Sequence, residues 1–399
     1  MRVTHVITRL IVGGAQENTV SSVLGLRETP GWEVDLISGP SHGAEGSLES
    51  KFASAPGCLT VMPDLIRAVR PATDFRAYRQ LAARFRAHRP TIVHTHSGKA
   101  GILGRLAARR AGVPWVIHTI HGPSFGPFQG PLARFLLKAA ERLAGRCTDH
   151  FVVVADAMTQ QYLAAGIGRP EQYTRIFSGF ELAPFLNARR DPSFAHQMGL
   201  RDGDFVIGKV ARLFKLKGHE DLFAIAPDLV RQIPRVRFLL VGDGPYRDQF
   251  ERLANETGVR DRFVFAGLVP PEQMPRYYAL MDVLVHLSRR EGLPRALPQA
   301  LAAGKPVVAF DCDGAREVCL DGQTGFLVPL GQKELLVERL RRLEGDSGLR
   351  EQMAATGREF VRNRFGVEVM VEELRALYRR LVGSREQRQL PDRIDVLRS

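Results

Sequence analysis

The stretch EGLPRALPQALAAGKPVVAFD, residues 291–311, gathers residue types that could hold an anion beside neutral polar groups. Pro298 has no backbone N–H and suits the first position of a helix, where none is needed. A helix starting there is expected to stop at Gly304, a natural left-handed cap. Residues 292–297, beginning Gly292, Leu293 and Pro294, then form a loop at a helix N-terminus. Unpaired amides and the helix dipole favour phosphate at such a place. Glu291 would repel phosphate, so beside that loop it is better suited to accept hydrogen bonds from neutral hydroxyls. Phosphate next to hydroxyls describes a nucleotide-sugar. The alternative at this spacing is a glutamate that only caps the helix.

A second concentration lies in HTHSGKAGILGRLAARRAGVPWVIHTIHG, with histidines at 94, 96, 118 and 121. Four imidazoles raise zinc as a possibility, but no cysteine or acid joins them at ligand spacing, and H-x-H on a strand is ordinarily packing or hydrogen bonding. No metal is expected. Two D-x-D triplets, 202–204 and 311–313, are the other metal-like patterns; the first sits in a polar loop and the second follows a strand.

These residues need elements to position them. Apolar runs such as VTHVITRL, EVDLISG, TIVHTH, WVIHTI and HFVVVA alternate with helix-length segments in the first half. FVIGKVARL, VRFLLVGDG, RFVFAG, DVLVHLS and KPVVAFD repeat that alternation in the second. Strands separated by helices imply parallel sheets with right-handed crossovers. With 399 residues the chain exceeds one ordinary core, so two Rossmann-like α/β domains are expected. They are read as 1–183 and 186–364, with the hinge within 181–190, a returning amphipathic helix at about 365–383 and a loose tail from 384 to 399. Ligands in such sheets sit beyond the strands' carboxyl ends, and every motif above falls at a strand end. The cleft between two facing domains is the default site.

Composition narrows the class. The four cysteines, Cys58, Cys147, Cys312 and Cys319, form no C-x-x-C pair and read as free thiols in a reducing compartment. No apolar run reaches membrane-span length and the N-terminus reads as a first strand, so a cytoplasmic protein is expected. The net charge of +13 is uneven: residues 67–110 hold eleven Arg or Lys against one acid, Asp74. Such a face suits anionic lipid or nucleic acid, or is simply a solvated helix face. No aromatic platform or nucleic-acid motif accompanies it, which disfavours nucleic acid.

The segment EGLPRALPQALAAGKPVVAFDCDGAREVCLDGQTGFLVP resembles the C-terminal signature of the retaining glycosyltransferases of family 4, which have the GT-B fold. The family pattern has two glutamates separated by seven residues; Glu291 matches the first, while Gln299 stands at the second. The resemblance implies that Gln299 meets the donor ribose, without charge. GKVARLFKLKGHEDL is similar to the family's G-R-L-x-x-x-K-G segment, implying Arg212 and Lys217 against the donor diphosphate, where they would stabilise the leaving group's growing charge. LLVGDGPYRDQF, with Gly242, resembles the family's glycine turn, and RFVFAGLV resembles the strand and loop that hold the nucleobase near Gly267 and Leu268. ITRLIVGGAQ resembles the first glycine loop, whose Gly13 and Gly14 would let backbone approach the diphosphate and acceptor. His121 matches a strand-end histidine that lies against the donor sugar.

The resemblance as a whole implies a metal-independent retaining transferase without a cofactor. It would move a hexosyl unit from a UDP- or GDP-linked donor to a glycan or lipid-linked hydroxyl acceptor for cell-surface polysaccharide, in the cytoplasm or on the inner membrane face. Two other readings are weighed beside it. One is a GT-B nucleotide-sugar 2-epimerase, which needs no acceptor; the other is a basic nucleic-acid-binding protein.

Overall fold

The computed structural model describes residues 1–41, 46–96, 98–126 and 128–389. They form two compact units, Met1–Phe180 with the helix from Val367, and Glu181–Gly366. The first contains strands β1 (Arg2–Ile7), β2 (Glu33–Ser38), β3 (Leu59–Val61), β4 (Ile92–His96), β5 (Trp115–Ile120), β6 (His150–Val153) and β7 (Tyr173–Arg175). They make one sheet in the order β3-β2-β1-β4-β5-β6-β7, with every neighbouring pair parallel. The crossovers are α1 (Gly14–Arg27), α2 (Pro71–His88), α3 (Gly98–Arg110), α4 (Pro131–Gly145) and α5 (Asp156–Ala164). Both α2 and α4 begin on a proline, where the missing N–H costs nothing.

Both faces of this sheet are covered, which is why its strands read as nearly continuous apolar runs. Along β1 the alternation sends Val3 and Ile7 to one core and Val6 to the other. The first core is completed by Met370, Val371, Leu374, Leu377 and Tyr378 of the C-terminal helix, Val367–Gln389. The two helices on that face approach closely: a Cβ on Gly25 of α1 would stand 2.5 Å from a Val371 methyl. The C-terminal helix runs past Ser384, where a loose tail was expected to start, because SREQRQ supplies good helix formers and no breaker. Residues 390–399 of that expected tail lie outside the described residues.

The second unit opens with α6 (Ala183–Leu186) and α7 (Pro192–Gln197). The stretch 181–190, read as an unpatterned join, therefore carries a helical turn, anchored by Phe185 edge-on to Tyr278. Asp191 caps α7 by accepting from the Ser193 and Phe194 amides. The sheet of this unit comprises β8 (Phe205–Val210), β9 (Val236–Val241), β10 (Phe263–Gly267), β11 (Val283–His286), β12 (Val307–Phe310) and β13 (Gly325–Val328). Its order is β10-β9-β8-β11-β12-β13, again all parallel. Its helices include α8 (His219–Gln232), α9 (Arg247–Glu256), α10 (Met274–Leu280), α11 (Ala296–Ala302), α12 (Lys333–Gly345) and α13 (Ser347–Arg362). A separate core of Phe205, Phe223, Phe238, Phe250, Val285 and Phe310, among others, fills this unit. Strand order reverses at β1/β4 in one sheet and β8/β11 in the other, the places where doubly wound sheets bind ligands.

Candidate active site

The loop after β8 carries Arg212 and Lys217, and the loop after β11 carries Glu291. Because β8 and β11 are neighbours, residues 74 apart in sequence become adjacent: Lys217 Nζ lies 2.5 Å from Glu291 Oε1. The approach depends on glycine. Gly218 has φ 65°, and a Cβ there would stand 2.0 Å from the Leu287 carbonyl oxygen, so no side chain fits between the two loops. Leu216, also left-handed at φ 68°, turns the chain so that Lys217 faces Glu291. Each side chain is about one-fifth exposed.

Glu291 is held from behind. Its backbone N–H donates to Asp313 Oδ2 at 2.7 Å, and the Gly314 amide donates to the Gly292 carbonyl at 3.2 Å. His286 Nε2 stands 3.6 Å from Glu291 Oε1. Burial raises the Glu291 carboxyl, but the charge and hydrogen bond of Lys217 outweigh it and hold the group below its ordinary range. His286 is neutral, since burial drives it down to about 3. Lys209, buried on β8, is pushed down to about 7 by burial and then by Lys217. Lys209, His286 and His219, whose Nε2 meets the Arg212 carbonyl at 3.0 Å, were not singled out from sequence, and Asp313 was noted only within a D-x-D triplet. The signal available was a polar residue inside an apolar run, as in FVIGKVARL and DVLVHLS.

The other candidates are placed as follows. Arg212 is exposed, its guanidinium 5.6 Å from the Phe214 ring centre. Gly242 has φ 132° and a Cβ there would meet the Ala211 carbonyl at 2.2 Å, so the glycine turn packs onto the Arg212 loop. The Gly242 amide donates to the Gly267 carbonyl at 2.9 Å, and Leu268 beyond it is 62% exposed. Gly292, Leu293 and Pro294 are buried. The helix expected from Pro298 starts instead at Ala296, which shortens the loop expected over 292–297. Pro298 is tolerated in its third position because first-turn amides have no intrahelical acceptor and the carbonyl it would clash with, on Pro294, precedes the helix. Gly304 is left-handed at φ 71°, as a cap requires. Gln299 Oε1 accepts from the buried Tyr278 hydroxyl at 3.1 Å, so part of its hydrogen-bonding capacity is used within the protein. Of the D-x-D acids, Asp311 takes Arg316 at 3.0 Å and Asp313 serves Glu291.

In the first unit Gly13 caps α1 and Gly14 begins it, beyond the end of β1. Gly13 has an extended φ of 172°, open to any residue. His121 follows β5 directly, and its Nε2 lies 3.0 Å from His96 Nδ1. His96 Nε2 in turn meets His5 Nδ1 at 2.9 Å, and His94 bonds the Tyr378 hydroxyl through Nδ1 and Thr119 Oγ1 at 2.6 Å through Nε2. His118 does not join them, for it pairs in register with Thr95 and so points to the opposite face, bonding Thr95 Oγ1 at 2.9 Å. Among the described residues, the nitrogens that come close enough for a metal are those of His5, His94 and His96, all within 4.8 Å. Burial keeps all three neutral, with His5 at about 3.

Charged groups thus gather at the strand ends of a two-sheet α/β protein, where doubly wound sheets receive ligands. Residues 192–360 match the family described as glycosyl transferases group 1, and residues 13–178 match the glycosyl transferase 4-like domain. The chain is 30% identical over 298 residues to a GDP-mannose-dependent alpha-(1-6)-phosphatidylinositol monomannoside mannosyltransferase of Mycolicibacterium smegmatis, covering 72% of this chain and 75% of that one. It is 27% identical over 321 residues to the UDP-Gal:alpha-D-GlcNAc-diphosphoundecaprenol alpha-1,3-galactosyltransferase of Escherichia coli, covering 79% and 82%. The fold matches that of Anabaena HepE, solved with UDP and glucose, at a TM-score of 0.79 and 21% identity over 95% of this chain and 99% of that one. It also matches sucrose-phosphate synthase from Thermosynechococcus elongatus at a TM-score of 0.78 and 21% identity, over 96% and 100%. The chain belongs to the group 1 glycosyltransferases and has the GT-B fold.

Proposed function

We propose that the protein is a retaining hexosyltransferase that takes a sugar from a UDP- or GDP-linked donor and delivers it to the hydroxyl of a lipid-linked glycan in cell-surface polysaccharide synthesis. The observation that carries this reading is the Lys217–Glu291 pair at the β8/β11 reversal. A lysine beside a carboxylate at a strand end offers a cation for a diphosphate and an acceptor for sugar hydroxyls in one place. Lys217 Nζ has three protons, so its contact with Glu291 leaves two for phosphate oxygens. Arg212 supplies a second, exposed cation. His121, at the carboxyl edge of the other sheet, is assigned a sugar contact, and Gln299 a ribose contact through its amide N–H groups. The relatives from Escherichia coli and Mycolicibacterium smegmatis, named for diphosphoundecaprenol and phosphatidylinositol acceptors, support a lipid-linked acceptor.

In this reading the bond between the sugar's anomeric carbon and the phosphate oxygen breaks while the acceptor oxygen attacks from the same face. The acceptor hydroxyl proton passes to the departing phosphate oxygen, whose charge Arg212 and Lys217 stabilise. The chemistry needs neither cofactor nor bound metal. The test is to incubate purified protein with a panel of UDP- and GDP-sugars, a lipid-linked acceptor and EDTA, and to determine the product's anomeric configuration by NMR. A product with the donor's configuration is expected. A 2-epimerised nucleotide-sugar formed without acceptor would replace this reading with the epimerase one. A lipid-linked acceptor also places the reaction at a membrane, on the cytoplasmic face that carries nucleotide-sugars. No helix among the described residues is long and apolar enough to cross that membrane, so the association proposed is peripheral.

A further inference from the structure

Helix α4 is amphipathic the wrong way round for a core helix. Leu132, Phe135, Leu136 and Leu143 are 72%, 67%, 56% and 53% exposed. Their spacing of three, four and seven residues sets them in one stripe along the helix. The inward face instead presents Glu141, Ala144 and Gly145. Glu141 is fully buried and takes Arg105 of α3 at 2.7 Å, an ion pair that fixes which face of α4 turns inward. Large apolar side chains ordinarily seek cover, and a contiguous exposed stripe of them marks a contact surface.

We propose that α4 lies on a bilayer containing anionic lipid, with this stripe among the acyl chains. Glu141, the only acid on the helix, is buried, so the accessible part of α4 carries positive charge alone, on Arg134, half-buried Lys138 and Arg142 at the edge of the stripe, with Arg146 just beyond its end. Long basic side chains flanking an apolar stripe reach back to lipid phosphates while the stripe is immersed. A second copy of the chain is a poorer occupant, because a two-fold pairing of this face would set arginine and lysine against arginine and lysine.

The basic region 67–110 is a weaker candidate than its charge count suggests. Arg76 pairs with Asp64, Arg84 with Asp35, Lys99 with Asp74, Arg105 with Glu141 and Arg109 with Asp149. Five of its eleven cations are thus answered by acids of this chain, four of them from outside the region.

The purpose of this surface rests on the lipid-linked acceptor proposed above, but its existence does not, and the experiment separates the two. Full-length protein is floated with vesicles of phosphatidylcholine alone or with phosphatidylglycerol, beside the variant Leu132→Ser/Phe135→Ser/Leu136→Ser. A second variant, Arg134→Gln/Lys138→Gln, keeps the stripe, and none of the replaced side chains is buried, so folding should be retained. The wild type should float with phosphatidylglycerol vesicles, and the serine variant should lose at least about tenfold in partitioning. The glutamine variant should lose binding to anionic vesicles and respond less to salt. Equal flotation of wild type and serine variant overturns the proposal. So does a concentration-dependent dimer, seen by sedimentation, that the serine variant abolishes. Donor turnover with a water-soluble acceptor, which neither variant should change, reports on the transferase reading separately.

Discussion

Glu291 and Lys217 depend on one another, and that makes their removal informative. Replacing Glu291 with alanine takes away the acceptor assigned to sugar hydroxyls and frees Lys217 to move. Turnover should fall roughly 100-fold or more, in the range for losing one positioned polar group, with an unchanged circular dichroism spectrum. Near-normal turnover of the folded variant would remove Glu291 from the site. Its pH behaviour follows from the same pair. Because the carboxyl is held below its ordinary value, the pair's stabilisation is present above that ordinary value and is lost as pH falls through the folded one. Lys209 works in the opposite sense. Its folded value of about 7 lies below the ordinary 10.5, so between those values the unfolded chain binds the extra proton and stability rises with pH. Lys209→Met should therefore be more stable than wild type at pH 7, by an amount of the order of a few kcal/mol at about 1.4 kcal/mol per pH unit. The difference should shrink towards pH 10, and parallel stability curves measured by urea denaturation across that range would contradict it. At this scale the sequence exposes Glu291 and Lys217 separately, through a loop and a strand-end motif. Their contact depends on β8 lying beside β11, which is a property of strand order. Lys209 and His286 are hidden by the apolar runs that contain them.

Elements show the same division between pattern and placement. VMVEELRALYRRLVG announces an amphipathic helix, yet nothing local says that its Tyr378 will meet histidines from β1 and β4. Tyr378 is buried, hydrogen-bonds His94, and stands 3.5 Å from His5. Tyr378→Phe keeps the ring and removes the hydroxyl, leaving a buried imidazole nitrogen without its partner. The expected loss is about 1–3 kcal/mol in urea unfolding. A change within error would mean that water takes the hydroxyl's place without penalty. Helix α4 is the converse case. PLARFLLKAAERLAG has an apolar stripe plain to see, and a stripe ordinarily faces the core. Which way it turns is decided by Arg105 and Glu141, two charged residues on different helices whose burial as a pair no local pattern reveals.

For the whole chain, alternating strands and helices were enough to read two parallel-sheet units, since that alternation has few other solutions. The long-range return of the C-terminal helix has a consequence that the order of elements alone would not suggest. The unit Glu181–Gly366 has a core of its own, whereas the first unit borrows Met370, Val371, Leu374, Leu377 and Tyr378 from beyond it. Burial of those five side chains is worth about 1.5–3 kcal/mol each, a sum comparable to the whole stability of an ordinary domain. A chain ending at Gly366 should therefore lose the folded first unit and keep the second. Calorimetry should show one cooperative transition where the intact protein shows two or a broader composite. UDP or GDP should still raise the melting temperature of the remaining transition, because Arg212, Lys217 and Glu291 all belong to the unit that survives. Retention of both transitions after truncation would mean that the helix contributes little to the first core. Loss of the nucleotide-induced shift, with the second unit still folded, would mean that the donor needs more than the β8/β11 site.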